Sequence, residues 1–244
     1  MVRATLTLHC GAVPVTGDEL LAYKAPQPQG RWFPLSHSRV LSVVTETLRD
    51  AGYTIEREQL GVMRDGSRFF GTLDLKAPIA EGVALAVGVR NSIDKSFPLG
   101  FAAGSRVFLC DNLAMSAELL VRRKHTIHGE RDFLRRIAEA VTSLDSFREQ
   151  EAGRIERLKA SDLTLDRADA LMLRAYERGI VGARELPRVI REWREPSFEE
   201  FRRPTAWSLL NAFTSALRDR AKKQPHSHAT ATLRLNGLLD PERN

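Results

Sequence analysis

Three arginines and one phenylalanine recur at alternate positions of segments that combine small, polar and aliphatic residues. If these segments are strands of one sheet, Arg68, Phe70, Arg90 and Arg106 would share a face. Guanidinium groups form charge-assisted hydrogen bonds with phosphates, and a base stacked on an aromatic ring contributes about 1–3 kcal/mol. The pattern therefore predicts a nucleic-acid-binding face that suits a single strand.

The same pattern has a structural explanation, because sheet faces in proteins are usually covered by a second layer. Glycine and alanine would let the long helix predicted below pack closely on the sheet, and carboxylates of that helix would neutralise the arginines. The candidate carboxylates are Glu139, Asp145, Glu149 and Glu151. The sequence leaves both interpretations open.

A basic turn provides a second candidate contact, at Arg122, Arg123 and Lys124. Clustered cations release counterions when they meet phosphates, so binding there would weaken steeply with salt. More basic residues follow the turn at His125, His128, Arg131, Arg135 and Arg136. The alternative is a solvated loop that leads into an amphipathic helix.

Asp65, Asp74 and Lys76 give the weaker signal of a metal-dependent nuclease. In such enzymes carboxylates hold Mg²⁺ and a lysine positions the attacking water. The role of a turn residue explains Asp65 better, since Asp-Gly is a strong hairpin signal. The sequence contains no phosphate-binding loop, no dinucleotide fingerprint and no Gly-x-Ser-x-Gly elbow. We therefore predict no catalytic residue, no metal and no cofactor.

The composition favours a polyanionic partner, because 37 basic residues exceed 31 acidic ones and the isoelectric point is near 9.7. The longest apolar stretch, at 82–89, is shorter than the roughly 18 residues needed to cross a membrane. The N-terminus has no apolar segment of the secretory type. Cys10 and Cys110 lie far apart and form no disulfide framework. We therefore expect a cytoplasmic protein without a membrane partner, in which Cys110 is a buried thiol.

The elements that must position these residues belong to an α+β fold. Apolar residues spaced three and four apart predict a helix over 37–50, with Ser36 as N-cap and Gly52 as stop. The spacing then alternates by two over 54–64 and 67–76, on either side of Asp65-Gly66. A second pair follows at 83–91 and 97–110. We therefore predict a four-stranded antiparallel meander sheet preceded by one helix.

Helical periodicity dominates the rest of the chain. We predict a short helix over 113–121, a long helix over 131–158, helices over 165–178 and 184–194, and a last helix that begins at Pro204. The resulting domains are a Pro/Gly-rich arm over 1–36, an α+β core over 37–160, a helical C-terminal region over 161–224 and a flexible tail over 225–244.

Two short motifs carry a resemblance to a known family. They comprise Arg90, Asn91, Ser92, Asp94 and Lys95, followed by Cys110, Asp111 and Asn112. In this order they resemble the R-N-S-x-D and V-C-x-N segments of a phage- and plasmid-like family of unknown function, and the likeness extends over about residues 15–215. It implies a mobile-element origin and an association with DNA metabolism. A structural role is the alternative, because Asn and Asp at strand ends commonly shape turns.

The preferred hypothesis is a non-enzymatic nucleic-acid-binding protein that contacts single-stranded DNA in recombination or replication. The order of its elements is similar to that of phage single-strand annealing proteins, which is an analogy of topology alone. Annealing would need a ring or filament of subunits, so the hypothesis allows a homo-oligomer. The alternatives are the nuclease described above and a protein–protein module whose charged helices dock a partner.

Overall fold

A computed structural model describes residues 12–107, 112–223 and 225–239 of the chain. Its six strands form one antiparallel sheet in sequence order. They are β1 (Ala12–Val15), β2 (Ile55–Met63), β3 (Arg68–Ala80), β4 (Val83–Ser92), β5 (Leu99–Val107) and β6 (Asn112–Arg123). The fold is therefore α+β as predicted, but the prediction of a four-stranded sheet was wrong.

The two additional strands lie at the edges of the sheet. β6 covers the segment 113–121, where leucine, alanine and methionine favour a helix, yet pairing with β5 overrides that propensity. β1 lies in the predicted arm and contains Pro14, which an edge strand tolerates because one row of its N–H groups needs no partner. The sequence therefore did not predict the two edge strands, because β1 contains a proline and the β6 segment is rich in helix-forming residues.

Three helices cover the apolar face of the sheet. They are α1 (His37–Asp50), α2 (Gly129–Thr142) and α3 (Leu144–Ala160). Leu73, Val87 and Phe101 lie on this face and are almost wholly buried, together with Val44 and Leu48 of α1. The predicted single helix over 131–158 is two helices, because the chain breaks at Ser143 and directs each apolar stripe to a different part of the core.

The C-terminal region is entirely helical where it is described. It contains α4 (Leu165–Glu177), α5 (Leu186–Arg194), α6 (Ala206–Ala216), α7 (Arg218–Lys223) and α8 (Pro225–Leu239). α6 is buried on all sides and contacts α3, and both α6 and α8 contact β6. A flexible tail was predicted over 225–244, but α8 occupies most of it and buries Leu235 and Leu238 against its neighbours. None of the described helices is long and apolar enough to cross a membrane.

Candidate nucleic-acid interface

The strand register places Phe70, Arg90, Gly100 and Arg122 in one row across β3, β4, β5 and β6. Directly paired residues of antiparallel strands point to the same face, and neighbouring strands lie about 4.8 Å apart. The row therefore spans about 14 Å of the face opposite α1, α2 and α3. Phe70 and Arg90 are partly exposed there, and Arg122 is exposed.

The carboxylates that could have neutralised these arginines lie on the other side of the sheet. Glu151 of α3 accepts a hydrogen bond of 3.0 Å from Ser105 on the apolar face, and it also pairs with Arg154. Glu139 and Asp145 pair with arginines of their own helices. These three carboxylates therefore do not neutralise the arginines of the sheet, contrary to the alternative interpretation of the sequence.

The side chain of Arg90 lies flat across β5. A Cβ atom at Gly100 would come within 2.8 Å of both Cγ and Nε of Arg90, so this pose requires a glycine there. The Arg90 guanidinium carbon stands 5.1 Å from the ring centre of Phe97, which in turn lies 5.4 Å from the Phe70 ring. We call Phe70, Arg90, Phe97, Gly100 and Arg122 the arginine–phenylalanine patch.

The arginines of the patch have no paired carboxylate among the described residues. Partial burial lowers the pKa of Arg90, and the positive charge of Arg122 lowers the same pKa further. Among the described residues, no carboxylate forms an ion pair with Arg90 or Arg122, or with Lys124 two residues farther along β6. An anion would therefore be attracted to this part of the sheet.

The remaining predicted arginines are already paired. Arg68 donates to Asp94 at 2.8 Å, and Arg123 points to the apolar face and pairs with Asp132 of α2. Arg106 shares the face of Arg90 but is fully buried and lies 2.7 Å from Asp74. The prediction that Arg106 belongs to an accessible surface fails, because Arg106 pairs with Ala84, six residues along β4 from Arg90, where the face is covered.

The nuclease residues do not converge on a metal position. Asp65 accepts hydrogen bonds from the backbone N–H and the hydroxyl of Ser67 within the β2–β3 turn, and these bonds lower its pKa. Asp74 is buried between Arg57 and Arg106, at 2.6 and 2.7 Å. In the parts of the chain that are described, no three His, Cys, Asp or Glu side chains are grouped to hold a metal ion.

A model of a family described as a domain of unknown function (DUF932) matches residues 28–237, which is most of the chain. The chain belongs to the DUF932 family. Comparison with curated proteins and with solved structures found no significant match. The family match begins just before the bridge between Gln29 and Trp32 and ends within α8, so the DUF932 domain includes β2 to β6, α1 to α7 and most of α8.

The motif residues build the β4–β5 loop of this DUF932 domain. Ser92 closes the loop, since its hydroxyl donates to the Phe97 carbonyl at 2.7 Å and accepts from the Phe97 N–H at 3.1 Å. Asp94 accepts from Ser96 and Arg68, while Lys95 adopts a φ of 67° and places Nζ 4.7 Å from the centre of the Trp32 ring. The motif thus positions Phe97 of the patch. Cys110 and Asp111 lie outside the described residues, and Asn112 begins β6.

A buried polar cluster joins the loop to the segment before α1, and sequence reasoning missed it. We call residues 31–36 the strap. Asn91 donates to the Leu35 carbonyl and to Nδ1 of His37, both at 2.9 Å. The Leu35 N–H donates to Nδ1 of His125 at 3.4 Å, and the Phe33 N–H donates to the His125 carbonyl.

Both histidines of the cluster are held in the neutral form. His37 accepts at Nδ1, so Nε2 carries the proton and donates to the Gly66 carbonyl at 3.0 Å. Burial lowers the pKa of His37. Burial first, and then the repulsion that His37 would exert on a protonated ring, lower the pKa of His125 to about 4. In the sequence His125 follows three basic residues, which is typical of an exposed histidine. Only its long-range contact with the strap identifies it as part of the buried cluster.

Proposed function

We propose that this DUF932 protein binds nucleic acid, single strands in particular, through the arginine–phenylalanine patch. One observation carries the proposal: two guanidinium groups without a described counter-charge stand in one row beside a partly exposed pair of rings. Phosphates would pair with Arg90 and Arg122, and a base would stack on Phe70. Lys124 extends the positive charge along β6.

The preference for a single strand follows from the position of the rings in the sheet. An aromatic ring on a flat sheet can stack only on an unpaired base, because a duplex stacks the faces of its bases on one another and exposes only their edges in the grooves. From the motif resemblance we further propose that the bound strand arises during replication or recombination of a mobile element. An annealing activity would additionally require several copies of the chain.

Fluorescence anisotropy with a labelled oligonucleotide, as single strand and as duplex, tests the proposal across a salt series. Each phosphate contact with a single strand contributes about 0.7 to the slope of log affinity against log salt. Arg122→Met should therefore reduce that slope by about 0.7, and Phe70→Ala should weaken binding while leaving the slope unchanged. Arg191→Met is the matched control, because Arg191 is an exposed arginine on α5. Equal slopes for wild type and Arg122→Met would refute the proposal.

The alternatives have less support in the described structure. The nuclease hypothesis lacks convergent carboxylates, because two arginines hold Asp74 in the interior. For docking of a protein partner, the exposed large apolar side chains in the described part of the chain form no single patch across several elements. They are Leu21, Ile127, Leu134, Leu165, Leu173 and Tyr176. Three of them belong to α4, and no described contact indicates what would cover that helix.

A further inference from the structure

The two arginines of the patch lie on either side of one glycine. Gly100 on β5 is the direct partner of both Arg90 on β4 and Arg122 on β6. Because Gly100 has no Cβ, the Arg90 side chain leans over β5, the strand that separates β4 from β6. The Arg90 side chain therefore extends towards β6, and the positive charge of Arg122 contributes to lowering the pKa of Arg90.

Phe97 fixes the direction of the Arg90 guanidinium. The cation covers one face of the Phe97 ring, so that face is not free to stack a base. The N–H groups at the edge of the guanidinium form no hydrogen bond with any other residue that the structure describes. Phe70 lies directly opposite Arg90 and is partly exposed, and its ring centre lies 5.4 Å from that of Phe97. The patch therefore places two cations and a partly exposed aromatic ring on one face.

The charges decide which phosphate fits. An internal phosphodiester carries one negative charge, so two successive internal phosphates would be needed to compensate both guanidinium groups. A phosphate monoester carries about 1.5 to 2 negative charges at pH 7, because its second pKa is about 6. Two adjacent cations interact most favourably with a dianion, and a guanidinium group can bind two oxygens of the same phosphate.

We propose that the arginine–phenylalanine patch binds the phosphorylated end of a nucleic-acid strand, with the terminal phosphate between Arg90 and Arg122 and the terminal base on Phe70. This inference rests on the proposed function and narrows it from strands in general to strand ends. Gly100 and Phe97 act as positioning residues, since they direct Arg90 towards Arg122 without touching the phosphate.

The test compares oligonucleotides of one sequence that end in a 5′-phosphate, a 3′-phosphate or only hydroxyl groups, each labelled at the opposite end. One phosphorylated form should bind at least about fivefold more tightly than the hydroxyl form at pH 7.5. The preference should disappear in Arg122→Met and in Gly100→Ala and persist in Arg191→Met. It should also shrink on acidification through about pH 6, where the monoester loses its second charge. Circular dichroism and thermal unfolding confirm that each variant is folded.

The outcomes separate this inference from the proposed function. If wild type binds none of the oligonucleotides, both are wrong. If it binds all of them with equal affinity, strand binding stands and the end-specific site is refuted. Inorganic phosphate serves as a competitor: displacement of the labelled strand by phosphate alone at a comparable concentration would show an inorganic-phosphate site, and would overturn recognition of a strand end.

Discussion

Acidification should loosen the strap through His125. The Leu35 N–H donates to Nδ1 of this ring, which is 6% exposed. Protonation of Nδ1 would direct its N–H against the Leu35 N–H and place a positive charge in a buried site. Burial is the main reason that the pKa of His125 falls to about 4, and the nearby His37 is the second.

The sign and size of the effect follow from proton linkage. Because the pKa of His125 is lower in the folded protein than the ordinary 6.5, the unfolded chain takes up the proton first. This contribution to stability is complete above about pH 6.5 and is lost as the pH falls towards 4. Between pH 7.5 and 5 the loss amounts to about 2 kcal/mol, and it cannot exceed about 3 kcal/mol, the equivalent of the full shift. His37, whose pKa is also lowered, adds in the same direction.

Urea unfolding followed by tryptophan fluorescence at pH 7.5 and pH 5 measures this loss. His125→Gln removes the titrating ring and keeps an acceptor for the Leu35 N–H, so its stability should fall by about 2 kcal/mol less than that of wild type over the same pH interval. Carboxylates titrate in both proteins and cancel in the comparison. His128→Gln is the control, because this exposed ring lies outside the cluster. Equal pH dependence in wild type and His125→Gln would refute the reasoning.

Two further predictions concern stability and are measured by urea unfolding at neutral pH. Arg106→Met should lower the free energy of unfolding by about 3–5 kcal/mol, because it leaves Asp74 buried with one partner fewer. The double variant Arg106→Met/Asp74→Asn should lose less stability than the sum of the two single variants. Strict additivity would show that the two residues do not interact. Gly66→Ala should lower the free energy of unfolding by more than the roughly 1–2 kcal/mol that a positive φ alone would cost, since its Cβ would lie 2.8 Å from the Tyr23 ring. Gly52→Ala, with positive φ in open space, is the control, and equal losses would contradict the steric argument.

Local rules correctly predicted the elements whose signals are short-range. Ser36 accepts the backbone N–H of Arg39 and begins α1, as its N-cap role requires. Asp65-Gly66 joins β2 to β3, with Gly66 at a φ of 72°. Alternation also placed Phe70 and Arg90 on the same face. The N-cap and the turn depend on residues close together in sequence, whereas the shared face of Phe70 and Arg90 also needs the β3–β4 register.

Features that depend on distant pairing were missed. The segment of β6 has helical propensity, and it becomes a strand because β5 supplies its hydrogen-bond partners. Arg122 joins the patch only through that pairing. Phe97 was predicted as the first residue of a strand, whereas it lies in the β4–β5 loop, where the Ser92 hydroxyl bonds to its backbone. The strap contact of His125 joins segments 90 residues apart.

The sequence by itself determined the alternation of side chains, the turns that separate strands, and the excess of arginine. Only the tertiary structure decided which arginines keep an accessible charge. Arg68 and Arg106 pair with carboxylates of a loop and of another strand. Arg90 and Arg122 lie on either side of Gly100 in the same row of the sheet. The physical reason is that Coulomb energy depends on separation in space and on the surrounding medium, both of which strand register and burial fix.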